Sequence, residues 1–74
     1  MNFEGYSVEE IGKFIKARRR QVKVTQRQLA MTANTGLRFI SELERGKPTC
    51  QIGKVLIVLQ TLGIKIILAI RDGK

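Results

Sequence analysis

TQRQLAMTANTGLRFISELERG, residues 25–46, carries two helical patterns separated by a small polar break. Thr25 stands three residues before Gln28, the capping-box spacing at which each side chain can satisfy the other residue's backbone N–H. Leu29, Ala30 and Ala33 continue from it as the apolar stripe of a helix of two to three turns. The break is Asn34, Thr35 and Gly36. Asn tolerates the left-handed backbone of a sharp turn, Thr35 suits a small core slot beneath it, and Gly36 can serve as the next N-cap. A second helix is predicted from about Leu37 to Arg45, with Gly46 as the left-handed residue that stops it and Pro48 preventing its continuation.

Projecting that second helix at about 100° per residue puts Ile40, Leu43 and Glu44 inward, with Phe39 packing beside Leu43. Arg38, Ser41, Glu42 and Arg45 fall on the opposite face, and Leu37 sits at the leading end. Two helices joined at a sharp angle by three or four residues make a helix-turn-helix, whose second helix fits the major groove of B-DNA. Arg38 can donate two hydrogen bonds to guanine O6 and N7, Ser41 can bond to most base edges, and Glu42 can accept from cytosine N4. Leu37, Arg38, Ser41 and Glu42 are therefore the candidate base contacts. Thr25 and Gln26 open the preceding helix, where exposed N–H groups and the helix dipole suit a phosphate; Arg27, Arg45 and Lys47 would add charge to the same backbone. For Arg27 and Glu42 a solvated helix face explains the residue as well as a contact does.

Outward from this unit, SVEEIGKFIKARRRQV, residues 7–22, repeats the capping-box spacing at Ser7 and Glu10. Val8, Ile11, Ile15 and Val22 form its apolar stripe, while Lys13, Lys16, Arg18 and Arg20 fall elsewhere, toward solvent or phosphate. A further helix is predicted from about Thr49 to Leu62, burying Ile52, Val55, Leu56, Leu59 and Leu62 and pointing Ile57 away, with Gly63 as its stop. IKIILAIR, residues 64–71, alternates strictly, with Ile64, Ile66, Leu68 and Ile70 on one side: the pattern of a strand. No clear second strand accompanies it. The FEGY segment near the N-terminus is short and broken by Gly5, so an identical strand from a second copy is the better partner. The expected dimer interface is Ile57, Ile64, Ile66, Leu68 and Ile70.

Composition sets the bounds. A chain of 74 residues buries only about 60% of its unfolded surface, so a partner subunit would help its stability. Fourteen Lys and Arg against six Asp and Glu give a formal net charge of +8, which favours polyanions, nucleic acid before an anionic membrane, although a merely solvated basic surface accounts for such charge equally. Cys50 is the single cysteine and histidine is absent, which argues against intrachain disulfides, zinc clusters and His-based acid–base chemistry. With no nucleophile–base pairing and no phosphate-binding glycine loop, no enzyme, metal or cofactor is expected. The apolar run Ile66–Ile70 is far too short to cross a bilayer and no leader pattern precedes it, so a cytoplasmic, nucleoid-associated protein is expected.

The TQ start at Thr25, Leu29–Ala30, the central turn and FISELERGKPT at residues 39–49 together resemble the Xre or Cro/C1-type helix-turn-helix family over about Ser7 to Leu62. RFISELERGKPT followed by GKVLIVLQTLGI and an apolar terminal strand is similar to HipB-type antitoxins, which pair with HipA-type kinases. The resemblance implies a mainly α, compact, lambda-repressor-like bundle of four to five helices whose C-terminal β-strand pairs across a homodimer. It further implies autorepression at a palindromic operator in double-stranded DNA, with a HipA-like kinase toxin as a further partner. It places Gln26 on a phosphate, Leu37, Arg38 and Glu42 toward the groove, and Arg19 with Glu44 as an internal ion pair. Three positions depart from the family pattern. Asn34 replaces the turn glycine, Lys23 stands where the preceding loop commonly has glycine, and Leu37 replaces a polar residue and would meet a thymine methyl instead.

The expected organisation is a DNA-binding domain over residues 1–63 and a dimerisation strand and tail over 64–74. The alternatives are a stand-alone Xre-type regulator without a toxin, and a protein-interaction module that uses the strand for β-addition.

Overall fold

The computed structural model describes Gly5 and residues 7–71, within which the chain forms four helices. They are α1 (Val8–Gln21), α2 (Gln26–Thr32), α3 (Leu37–Glu44) and α4 (Ile52–Thr61). Each of the first three begins within a residue or two of the position its sequence signals. Thr25 accepts from the Gln28 N–H at 3.0 Å and its own N–H donates to Gln28 Oε1 at 2.8 Å, so the capping box of α2 is complete. Ser7 caps α1 in one direction only, accepting from the Glu10 N–H at 3.0 Å.

The core is one cluster in which Ile15 of α1, Leu29 of α2, Ile40 and Leu43 of α3 and Val58 of α4 are the largest fully buried side chains. Burial of each such side chain is worth roughly 1.5–3 kcal/mol. Helix α3 packs against both α1 and α2, so its inward face is fixed from two sides and its outward face is left free. Gly12 permits the closest approach: a Cβ there would overlap the carbonyl oxygens of Leu43 and Glu44 at the end of α3. Because the obstacle is backbone, only glycine fits this crossing.

The structure departs from the sequence expectations at four points. Helix α4 starts at Ile52 and not near Thr49, because the left-handed turn at Gly46 (φ 83°) and Pro48 leave residues 47–51 as a loop. Its buried face is Val55, Val58, Leu59 and Leu62, rotated away from Ile52 and Leu56, which are exposed. Both stripes have helical spacing, and the packing of α4 against α2 and the shared core selects between them. Val22, expected on the α1 stripe, lies past the helix end as its C-cap and is exposed. Arg18, expected in solvent, donates from Nε to the Leu62 carbonyl at 2.9 Å and ties the end of α1 to the end of α4.

Among the described residues no strand ladder forms, and residues 64–71 run on from α4 without regular structure. Ile64 is half-buried against its own core, with its N–H donating to the Leu59 carbonyl at 2.9 Å, whereas Ile66, Ile67, Leu68 and Ile70 are exposed. The FEGY segment, apart from Gly5, and residues 72–74 lie outside the described residues. No helix among the described residues is long and apolar enough to cross a membrane.

Candidate nucleic-acid interface

The turn between α2 and α3 is made as the residues dictate. Asn34 adopts φ 57°, the left-handed region its short polar side chain tolerates, and the Thr35 N–H donates to the Ala30 carbonyl at 2.9 Å to close the end of α2. Thr35 itself is half-buried beneath the turn, and Gly36 caps α3 through its carbonyl without any side-chain bond. The loop before α2 carries Lys23 at φ 60°, a conformation that favours glycine.

Behind the interface lies a buried polar knot. Arg19, only 8% exposed, donates from Nε to Glu44 Oε2 at 2.6 Å and from Nη2 to Oε1 at 3.1 Å, while its Nη1 donates to the Val24 carbonyl at 2.8 Å. This two-point geometry is what a planar guanidinium offers a carboxylate. Gln26 joins the knot, its Nε2 donating to Glu44 Oε1 at 3.0 Å. The amide at the head of α2 is therefore held in one rotamer by a carboxylate of α3, with its own oxygen left unengaged by these bonds. No buried side-chain polar atom among the described residues lacks a partner.

On the outward face of α3, Leu37 and Arg38 are exposed and Ser41 and Glu42 are half-buried, with Arg45 exposed just past the helix end. The structure thus brings Leu37, Arg38, Ser41 and Glu42 together on one surface, as their spacing predicts. Thr25 and Arg27 at the start of α2 and Lys47 in the following loop are exposed as well. Glu42 accepts from Arg38 Nε through Oε2 at 3.2 Å and from Lys47 Nζ through Oε1 at 3.3 Å. The ammonium of Lys47, hydrogen-bonded to it, holds the Glu42 carboxyl below the usual glutamate range; burial opposes this, and the Arg38 bond adds to the lowering. The four-residue spacing of Arg38 and Glu42 was the available signal for half of this arrangement. Nearby, Lys54 Nζ lies 5.7 Å from the centre of the Phe39 ring, a contact that helical spacing does not signal. Cys50 is half-buried, and burial followed by the nearby Glu42 charge pushes its thiol up, away from the reactive thiolate. No cluster of potential metal ligands occurs among the described residues.

Two short helices set across a tight left-handed turn, the second presenting a polar outer face ahead of a cationic loop, define the helix-turn-helix class of DNA-reading folds. The chain belongs to the helix-turn-helix family HTH_3, whose family model matches residues 15–68, and within it is an Xre/Cro-type DNA-binding transcriptional regulator. A curated relative, the uncharacterized HTH-type transcriptional regulator y4mF of Sinorhizobium fredii (strain NBRC 101917 / NGR234), is 54% identical over 57 residues, which are 77% of this chain and 75% of that protein. Among solved structures, HipB in a complex with an O4 20-mer is similar at TM-score 0.85 and 25% identity, covering 99% of this chain and 100% of that one. A HipA–HipB–O2–O3 complex contains a chain with the same score, identity and coverage. The bundle closely resembles the HipB fold.

Proposed function

We propose that the chain is a HipB-type antitoxin that represses its own operon as a homodimer and restrains a HipA-type kinase. The observation that carries the DNA-binding half is the locked Gln26 beside the free face of α3: a buried carboxylate fixes the amide at the head of α2 relative to Arg38, whose side chain is 89% exposed. Gln26, with Thr25, Arg27, Arg45 and Lys47, would hold phosphates and set the register. Leu37, Arg38, Ser41 and Glu42 would meet base edges in the groove. The dimer would present two such surfaces to a palindromic operator, with residues 64–71 pairing between copies beside Ile57. The kinase partner is supported by the likeness to HipB, which one solved structure holds in a HipA–HipB–O2–O3 complex. The site described here calls for no cofactor, and a cytoplasmic location at the nucleoid accords with this role.

The deciding experiment is to purify the tagged protein from its own host, sequence the DNA it retains and identify copurifying protein. Recovery of its own promoter with a kinase supports the full reading. Promoter DNA without a kinase supports a stand-alone regulator, and a protein partner with no DNA enrichment overturns the repressor reading.

A further inference from the structure

Glu42 would ordinarily be a poor neighbour for DNA: a carboxylate on the outer face of a recognition helix repels phosphates, and its one attractive base partner is the cytosine amino group. In this structure both of its oxygens are already taken. Oε2 accepts from Arg38 Nε at 3.2 Å and Oε1 accepts from Lys47 Nζ at 3.3 Å. The carboxylate is mostly covered, its side chain 22% exposed, while the Arg38 side chain it touches is 89% exposed. The bond to Arg38 falls on Nε, at the side of the guanidinium. The two terminal nitrogens, which can reach guanine O6 and N7 end-on as a pair, remain free. An exposed arginine on a flexible stem loses much rotamer freedom when it docks, and a carboxylate one helical turn away that grips its side removes part of that cost beforehand.

We infer that Glu42 is a positioning residue for DNA reading: it holds Arg38 end-on toward a guanine and Lys47 toward the flanking backbone, and itself contacts no base. The inference rests on the reading of Arg38 as a base contact and replaces the cytosine contact otherwise open to Glu42. It has a second consequence for specificity. Glu42 cancels much of the charge of its two partners in the absence of cognate DNA, so the pair attracts arbitrary sequences weakly until a guanine gives Arg38 its second set of acceptors.

The test is binding of the intact protein to its operator and to a panel with each half-site base pair substituted, for wild type, Arg38→Ala, Glu42→Ala, Glu42→Gln and the double variant Arg38→Ala/Glu42→Ala. Thermal melts verify that each variant folds. Arg38→Ala should flatten one guanine preference, from the roughly 5- to 150-fold of a bidentate pair toward none. Glu42→Ala should weaken that same preference at least about threefold while raising affinity for random DNA, because a negative charge has left the interface. Glu42→Gln keeps an acceptor for Nε without the charge, so it should restore much of the guanine preference but not the low affinity for random DNA. In the Arg38→Ala background the Glu42 change should alter no base preference. If Glu42→Ala abolishes a preference at a different base pair, and does so with Arg38 absent, Glu42 reads a base itself and the inference is wrong. If Arg38→Ala flattens its position but Glu42→Ala does not, the positioning role alone fails. Should Arg38→Ala flatten nothing, the base-contact reading fails and takes the inference with it.

Discussion

Glu44 Oε1 accepts from two directions at once, from Arg19 Nη2 of α1 at 3.1 Å and from Gln26 Nε2 of α2 at 3.0 Å. A single oxygen on α3 thus joins the buried ion pair to a side chain at the outer surface. The geometry of the interface is therefore tied to the integrity of the core, since α2 cannot turn against α3 without breaking a charge-assisted bond.

Glu44→Ala leaves the Arg19 guanidinium buried without its carboxylate, a loss of about 3–5 kcal/mol, which is a large share of what a domain of this size holds. Chemical denaturation should show the midpoint collapse. Arg19→Met with Glu44→Leu removes both charges and should recover most of that stability. It should still bind operator poorly, because Gln26 has lost the carboxylate that fixes it. Full operator affinity in the double variant would mean that the knot serves stability alone.

Lys23 and Asn34 share nearly the same backbone, φ 60° and 57°, yet substitution by glycine should affect them differently. A lysine in the left-handed region costs roughly 1–2 kcal/mol, part of which glycine returns as greater freedom of the unfolded chain. Lys23→Gly should therefore raise stability by about 0.5–1 kcal/mol, and Asn34→Gly should change it little, because Asn tolerates the conformation. A thermal or denaturant series on the two variants settles the order. Equal effects would show that residue type at these turns is immaterial.

The elements that local chemistry specifies were legible in the sequence: three helix starts, the left-handed turn and the outward face of α3 all follow from capping residues and spacing. The face of α4 was not. Ile52, Val55, Leu56 and Leu59 have a helical period as good as that of Val55, Val58, Leu59 and Leu62, and tertiary packing against α2 and the shared core chooses between them. Gly12 was silent for a similar reason, since the need for glycine lies in the Leu43 and Glu44 carbonyls more than thirty positions away. The Arg19–Glu44 pair came from family resemblance, periodicity having indicated only that Glu44 faces inward. At the candidate site the spacing puts Leu37, Arg38, Ser41 and Glu42 on one face of α3, whereas the Lys47 contact of Glu42 spans a helix end that periodicity does not describe.

Glu42 also sets a pH dependence. Its carboxyl is held below the ordinary glutamate range in the folded protein, chiefly by the Lys47 hydrogen bond. The charged form therefore favours the fold fully above the unfolded glutamate pKa, and that contribution is lost as pH falls through the lowered folded value. The group is near the surface, so the effect on stability is small. The site-specific signature is clearer: carbon-detected NMR of the Glu42 carboxyl should titrate low, and Lys47→Ala should move it up further than Arg38→Ala. The reverse order would place the dominant cation at Arg38.

Backbone contacts should show in salt. If Arg45 and Lys47 each neutralise a phosphate, log K falls with log salt by about 0.9 for each contact, and Arg45→Ala lowers the slope by about that amount per protomer. Lys47→Ala should lower it less, because Glu42 already offsets part of the Lys47 charge in the intact protein. Fluorescence anisotropy across a salt series measures both slopes. A slope near zero for the wild type would reject phosphate-led binding.

The last question is what covers the C-terminal segment. Ile66, Leu68 and Ile70 are 46%, 91% and 97% exposed, Leu56 and Ile57 of α4 are 46% and 47% exposed, and Leu56 lines one groove with Ile66. An apolar surface of this kind on a small domain marks an interaction site, and the adjoining backbone of residues 64–71 has no ladder partner among the described residues. A second copy offers an identical alternating strand, and antiparallel pairing about a two-fold axis is self-complementary. It would also fix the separation of the two α3 helices, which can occupy successive half-sites only about 34 Å, or a multiple of it, apart. Ile64 belongs to its own core and should be spared, so the informative truncation removes residues 65–74. Circular dichroism should show α1–α4 largely retained, because the bonds that close α4, from Arg18 to Leu62 and from the Ile64 N–H to Leu59, both survive. Sedimentation should then find a monomer, and operator titration should find only weak single half-site binding. A truncated protein that remains dimeric and holds the full operator as tightly as the intact chain would remove the strand from dimerisation, leaving the segment free for a protein partner.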